Sequence, residues 1–499
     1  MKNVYKSIKN GFILIALILS TSCSDSFFDV NENPNDPPVS TPGLTLPVAQ
    51  NTFASLNGTT MTYLGNMVMY NWATPSNWSA NGQLFRYQFT NSFNNSVFTT
   101  PYGSIFKDLT YIQGYEDPTG AVDYTAYKVI AQVIKGFQYQ YLVDLYGDVP
   151  FTEANKRAEN TTPKYDDSET IYKSVIDSLT IYSEKALNLP EIAENPESSD
   201  IIFGGNMEQW IQFANTIKLR MLIRLSNTGQ DAYIKQQIDL INANGMGYIT
   251  EDVVANPNYS KDTNKQSPFW NYAGYNTSDA EQDRHDYTVA SDYTIDYLTT
   301  TNDPRIGYLY SASEDGGEFK GVWQSTELPG EGFTSGDLSK IGVGLLKSFD
   351  QDQPIMLLSE ALFLQAEAVV RGYLPGGAGE AQDLYEKAIT ASFDYLGVAE
   401  SPSDYYNQNI PNVSWNASTD KIQAIIVQKW IALNGTSSIE SWMEWVRTGF
   451  PNNLPTPDDS DGVRPVRLLY PTSEYSTNGD NVPPSSINDA FTKYPFWKQ

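Results

Sequence analysis

Hydrophobic positions recur along this chain at three- and four-residue spacing far more often than at two. Tyr127, Ile130, Ile134, Phe137, Tyr141 and Leu145 form one such stripe, closed by Gly147. A second runs through Trp210, Ala214, Ile217, Met221 and Leu225 and stops before Gly229. A third, Leu358, Leu362, Ala366 and Val369, ends at Gly372 and Pro375, and a fourth passes through Ile422, Ile425, Lys429 and Leu433. An apolar stripe ended by a residue that tolerates a left-handed backbone, or cannot continue a helix, marks an amphipathic helix packed on a core. Residues 166–188, 231–243 and 381–397 are also predicted helical. Strand-like alternation is sparse. The stretches 74–104, 250–285, 310–350 and 450–499 are rich in Gly, Pro, Asn and Ser and predict irregular structure. So much irregular chain is unusual in a plain bundle unless the loops carry function.

Within the predicted pair 358–397, Ala381, Tyr385 and Ala388 have the small-x3-aromatic-x2-small spacing of the second helix in a tetratricopeptide repeat. Small residues let two helices approach, and the aromatic fills the space between pairs. Several degenerate pairs of this kind would build an α-solenoid whose long loops are not needed to hold its core.

The first residues set the compartment. Lys2, Lys6 and Lys9 precede an apolar run, Phe12 to Leu19, far shorter than the roughly 20 residues that span a bilayer. Ser20, Thr21 and Ser22 then lead into Cys23, the single cysteine. Residues 1–22 therefore read as a lipoprotein signal peptide and Cys23 as the lipidated first residue, held at a membrane by its acyl chains. Residues 23–43 read as a Pro-punctuated tether, and 44–499 as one domain. Its helix pairs are concentrated in 44–245 and 354–450, with loop-rich 250–350 and 450–499. Asp29, Asn31 and Asn33 open like a calcium loop, but Pro34 stands where Gly is needed and Ser40 where Glu is needed.

Charge and composition narrow the function. The chain carries 32 Lys and Arg against 59 Asp and Glu, a net charge of −27, which argues against nucleic acid as the main partner. One Cys precludes an internal disulfide, and one histidine, His285, precludes His-rich metal sites. No Gly-x-Ser-x-Gly elbow, Walker loop, His-Glu-x-x-His or Cys-x-x-Cys is present. Gly376 to Gly379 read as a hairpin linker, and His285, in Asp283-Arg284-His285-Asp286, as part of a solvated charge cluster. No catalytic residue, metal or cofactor is assigned. The 33 Tyr, 22 Phe and 10 Trp suit a binding protein better than an enzyme.

Five segments carry a family resemblance: 29–35 (DVNENPN), 141–151 (YLVDLYGDVPF), 210–220 (WIQFANTIKLR), 428–451 (from QKWIAL to WVRTGFP) and 467–478 (RLLYPTSEYSTN). In this order they resemble the SusD/RagB-like outer-membrane nutrient-binding lipoproteins, in their SusD-like branch. One departure is Val446, where a second basic residue before Arg447 is expected. The resemblance implies an all-α superhelix of about four tetratricopeptide-like helix pairs with long irregular loops. It also implies a surface-exposed, lipid-anchored protein of the Bacteroidetes outer membrane. Its partner would be a SusC-like TonB-dependent transporter, to which it delivers captured oligosaccharides without chemistry. A peptide-binding role, or a transporter-gating role with little glycan affinity, is the alternative.

Ligand capture then points to aromatics in the loops: Trp72, Trp78 and Tyr87 in one stretch, Trp270 and Tyr272 in another, and Trp323 in a third. A sugar's C–H face stacks on such rings while polar side chains bond its hydroxyls. Asn77, Asn81, Gln83, Asn271 and Arg284 are the polar candidates. The Tyr146–Pro150 turn reads as structural, with Gly147 closing the helix. Arg447 is expected to pair with a carboxylate, in the core or at the transporter interface.

Overall fold

The computed structural model describes residues 40–324 and 332–498. The signal peptide, Cys23 and the tether as far as residue 39 lie outside the described residues. The body begins with α1 (Pro42–Leu56), a π turn (Asn57–Met61) and α2 (Thr62–Val68), which follow one another without a break. Next come α3 (Phe106–Gly114), α4 (Thr125–Tyr146), α5 (Ser168–Leu187), α6 (Met207–Arg224) and α7 (Asp231–Asn244). Two short helices, α8 (Pro268–Ala273) and α9 (Asp283–Tyr287), interrupt the loop-rich middle. The second half adds α10 (Leu358–Val370), α11 (Gly377–Leu396), α12 (Lys421–Ala432) and α13 (Ser438–Thr448). Successive helices pack as antiparallel neighbours, α3 on α4, α4 on α5, α5 on α6 and α10 on α11, while α6 and α12 close on α10. The chain is a helix-rich solenoid of paired helices, and residues Pro42–Gln499 form one compact unit.

Described strands occur as three two-stranded antiparallel pairs. They are β1 (Trp72–Ala73) with β5 (Val289–Ala290), β2 (Val149–Pro150) with β3 (Tyr165–Asp166), and β4 (Val253–Ala255) with β6 (Gln353–Met356). Each staples one loop to another; none forms a layer.

Helix ends follow local chemistry. Asp167, Asn206 and Asp420 accept the backbone N–H three residues on, which starts α5, α6 and α12. At the end of α4, Gly147 has φ 80°, so a left-handed residue is needed there, and its N–H donates to Val143 O at 2.8 Å. The turn after it is structural, as its chemistry predicts. Asp148 accepts from Ser168 N at 2.9 Å, the Tyr470 hydroxyl donates to Asp148 O at 2.8 Å, and the Arg467 guanidinium donates to Tyr146 O. In the α10–α11 pair, Ala381, Tyr385 and Ala388 are all buried, with the Tyr385 ring 5.9 Å from Phe363. The tetratricopeptide spacing therefore does what it predicts. The expectation of irregular structure for 74–104 fails in part, because a helical run from Ser96 leads into α3. Pro101 sits at the start of a π turn inside that run, which a proline reading takes as a break.

Arg447 is a core residue. It pairs with Glu367 at 2.7 Å and with Glu444, in a buried network spanning α4, α6, α10, α12 and α13. Arg224 reaches Glu440 at 2.8 Å, Glu444 at 3.1 Å and Asp144 at 3.4 Å; Lys429 reaches Glu440 and Glu444; Arg220 reaches Glu360. With Arg371 on Glu367, five cations meet five carboxylates. Burying ions is costly, so this balance matters more than any single pair: removing one partner leaves a charge with neither water nor counter-ion. The network fixes how the two halves of the solenoid meet.

Candidate functional site

The loop-rich middle folds back over the π turn and α2 and encloses a cleft of about 830 Å³. A smaller cavity of about 290 Å³ adjoins it, and Tyr272 and Arg284 line both. The site rests on three supports. The first is the π turn, whose Thr59 faces the larger cleft and Thr60 the smaller. Such a turn leaves the regular helical hydrogen-bond ladder and is often found at functional sites. The second is α8, whose first turn is held by the buried Gln353: its Oε1 accepts Phe269 N–H at 3.0 Å, while its amide lies directly against Gly58. A residue without Cβ leaves room for this amide against the π turn. The third is α9, which presents Arg284 and Tyr287 to the cleft.

Arg284 is the centre of this arrangement. Its guanidinium lies 3.7 Å from the Tyr272 ring centre, 5.3 Å from Tyr63 and 5.7 Å from Tyr287. Among the described residues it makes no ion pair, and its Nε has no hydrogen-bond partner. Phenol rings, not carboxylates, hold this cation in place. Burial pushes the Tyr63 and Tyr272 hydroxyls above their usual range, so both stay protonated. The Tyr63 hydroxyl accepts from Asn81 at 2.8 Å, which ties the smaller cavity's rim to α2.

The wall of the larger cleft is dominated by side-chain amides: Asn51, Asn264, Gln266, Asn271, Asn276 and Gln282. Tyr259, Tyr272 and Tyr287 supply rings, and Glu281 and Asp283 supply negative charge. Gln266 is buried, and neither of its amide atoms has a hydrogen-bond partner among the described residues. Amides both donate and accept without carrying charge, so this wall is matched to a neutral ligand rich in hydroxyl or amide groups.

The loop aromatics fare unevenly. Tyr272 lines both cavities. Trp78 is half-buried beside the site, with Nε1 donating to Asp286 at 2.7 Å and its ring 5.5 Å from Tyr287. Trp270 packs at a tilt against Tyr275, 5.1 Å between ring centres, and exposed Trp323 packs edge-on against Tyr70; neither lines the two cavities. Two expectations are corrected. Trp72 is fully buried, with Tyr63 at 5.6 Å and Phe269 at 6.4 Å, and Tyr87 is buried against Phe89 and donors from Arg464. Both rings plug the core and offer no face to a ligand. His285 is corrected too: it is buried, donating through Nδ1 to Glu281 at 2.6 Å beside the Tyr275 ring, and burial lowers its pKa so that it stays neutral. Of the polar candidates, Asn81, Gln83, Asn271 and Arg284 line the cavities, whereas Asn77 instead bonds Ser335. Sequence reasoning missed Tyr63, Tyr259 and Tyr287; a Tyr three residues after Arg284, on the same face of a helical turn, is the signal that points to the last.

The sequence matches a SusD-like family, described as starch-binding and associating with the outer membrane, over residues 34–471. The chain belongs to that family. No curated protein matches it in sequence. Among solved structures it is similar to a chitin-binding protein at 24% identity and TM-score 0.70, covering 92% of this chain and 98% of that one. A chitin-binding SusD homologue of Flavobacterium johnsoniae matches at 22% identity and TM-score 0.71, over 88% of this chain and 92% of the other. A SusD homologue of Bacteroides uniformis matches at 22% identity and TM-score 0.71, over 90% and 96%. These likenesses establish the shared fold. Among the described residues no helix is long and apolar enough to cross a membrane.

Proposed function

We propose that this protein captures oligosaccharides in the cleft around Tyr272 and Arg284 and passes them to a SusC-like TonB-dependent transporter. The observation that carries the reading is the cleft wall itself: six amides, three phenol rings and one cation held by rings rather than by acids. Hydroxyl-rich ligands need many uncharged donors and acceptors, and flat rings for their C–H faces. The family's description as starch-binding and the chitin-binding relatives support sugar as the class. Lipidation of Cys23 would hold the acidic body at the outer membrane, facing outwards beside its transporter.

Glycan and peptide arrays probed with residues 24–499 test the reading, followed by titration of maltohexaose and hexa-N-acetylchitohexaose. The account predicts retention on glycans. Tyr272→Ala or Arg284→Ala should weaken binding by about fivefold, with each lost ring or cation contact worth roughly 1 kcal/mol. Retention on peptides alone, or no ligand together with tight association with the transporter, would replace this reading by the peptide-binding or gating alternative.

A further inference from the structure

We infer that Lys340, outside the cleft, is the positioning residue that holds the ligand-binding face of α9 in place. This inference rests on the reading of the cleft as the capture site. The α9 turn has two sides. Arg284 and Tyr287 face the cleft, while His285 and Asp286 point into a polar cluster behind it. Lys340 is buried at the centre of that cluster, with Nζ 2.9 Å from Asp286, 2.9 Å from Glu314 and 3.2 Å from Glu281. Two of these carboxylates also serve a second purpose. Asp286 accepts the Trp78 indole N–H at 2.7 Å through its other oxygen, and Glu281 accepts His285 Nδ1–H at 2.6 Å.

One ammonium group therefore ties four stretches of chain together: the Trp78 loop, residues 281–287, the Glu314 loop and its own strand-like segment. That last segment is fixed independently, through the bridges Val289↔Lys340 and Tyr310↔Ile341. It provides a fixed post against which α9 is pulled. The pairing is one-sided. His285 is neutral, so Lys340 is the only formal positive charge that contacts Glu281, Asp286 and Glu314 among the described residues. Burial works against the charge on both Lys340 and Asp286. The hydrogen bonds that Lys340 donates and Asp286 accepts outweigh it, raising the Lys340 pKa and lowering that of Asp286. Without the cation, the three carboxylates would repel one another and Asp286 would lose the contact opposite Trp78. Trp78 packs edge-on to Tyr287, so the disturbance travels through one ring to the cleft.

The test compares Lys340→Met and Lys340→Arg in residues 24–499. It uses titration with maltohexaose and hexa-N-acetylchitohexaose and follows the Trp78 indole 15N–1H resonance, assigned by Trp78→Phe. The inference predicts affinity about tenfold weaker in Lys340→Met, with the Trp78 resonance shifted, and most of the affinity restored in Lys340→Arg. Where Lys340→Met does not fold, Asp286→Asn replaces it with the same expectation, since it keeps the side-chain shape and removes the charge. Unchanged affinity in folded Lys340→Met, whether or not the Trp78 resonance moves, would overturn the inference, provided Arg284→Ala weakens binding as expected. Lack of binding by the unaltered chain to both sugars would instead defeat the reading of the cleft, and this inference with it.

Discussion

At the scale of single residues, burial decides which charges matter. Asp144 lies at the edge of the ten-charge network, paired with Arg224 and accepting the Trp497 indole N–H at 2.8 Å. Desolvation nevertheless dominates and raises its carboxyl to about 6. An unfolded Asp titrates near 3.9, so the folded chain binds this proton more tightly. The resulting stability is fully present below about pH 4 and is lost as the pH rises through about 6. Asp144→Asn lacks this proton. Melting curves should therefore show the advantage of the unaltered chain over the variant shrinking between pH 4 and pH 7. An advantage that grows over this interval would mean that the Arg224 pairing outweighs burial. Glu444 behaves oppositely: Arg447, Lys429 and Arg224 together overcome its desolvation and hold it well below the usual carboxylate range. Residue scale is also where sequence reading is weakest. Trp72 and Trp78 sit six positions apart in similar company, yet one plugs the core and the other edges the site. Both are flat apolar rings with one donor. What separates them is β1 pairing with β5, a contact between residues more than two hundred positions apart.

At the scale of elements, the helices were legible and their partners less so. The stripe through Tyr127 and Leu145 has one period and one face, and α4 follows it because turn-by-turn burial repeats at that period. Nothing local shows that α4 is covered by α3, α5 and α6 at once, although its unbroken buried stretch from Phe137 to Tyr146 records it. The cleft depends on such non-local fits. At Gly58, Ala would gain about 0.5–1 kcal/mol of helical preference, but its Cβ would overlap the buried Gln353 amide that anchors α8. Overpacking of a tight contact costs about 1–3 kcal/mol, so the loss wins. Gly58→Ala should lower stability by about 1–2 kcal/mol in denaturant titration and also weaken sugar binding. A stabilised variant with unchanged affinity would show that the π turn and α8 are not coupled through Gln353.

At the scale of the whole molecule, a solenoid of helix pairs carries the proposed capture cleft under a loop-rich middle, part of which also packs into the core. This explains why 250–285 could be read as functional from its composition, while its geometry could not. Arg284 gains meaning only when Tyr63, from α2, and Tyr272, from α8, arrive on either side of it. The proposed placement at the membrane rests on the N-terminus. Cys23→Ser should release the protein from the outer-membrane fraction without altering sugar affinity of the soluble body, which fractionation and titration measure together. Retention of the variant in the membrane would assign anchoring to something other than acyl chains.

The central claim is most directly tested by a crystal structure of the mature body soaked with hexa-N-acetylchitohexaose or maltohexaose. The account predicts sugar density across the Tyr272–Arg284 wall, with a ring against Tyr272 and amides of the cleft bonded to its hydroxyl or acetamido groups. A sugar seated instead on exposed Trp323, with the cleft filled only by water, would contradict it.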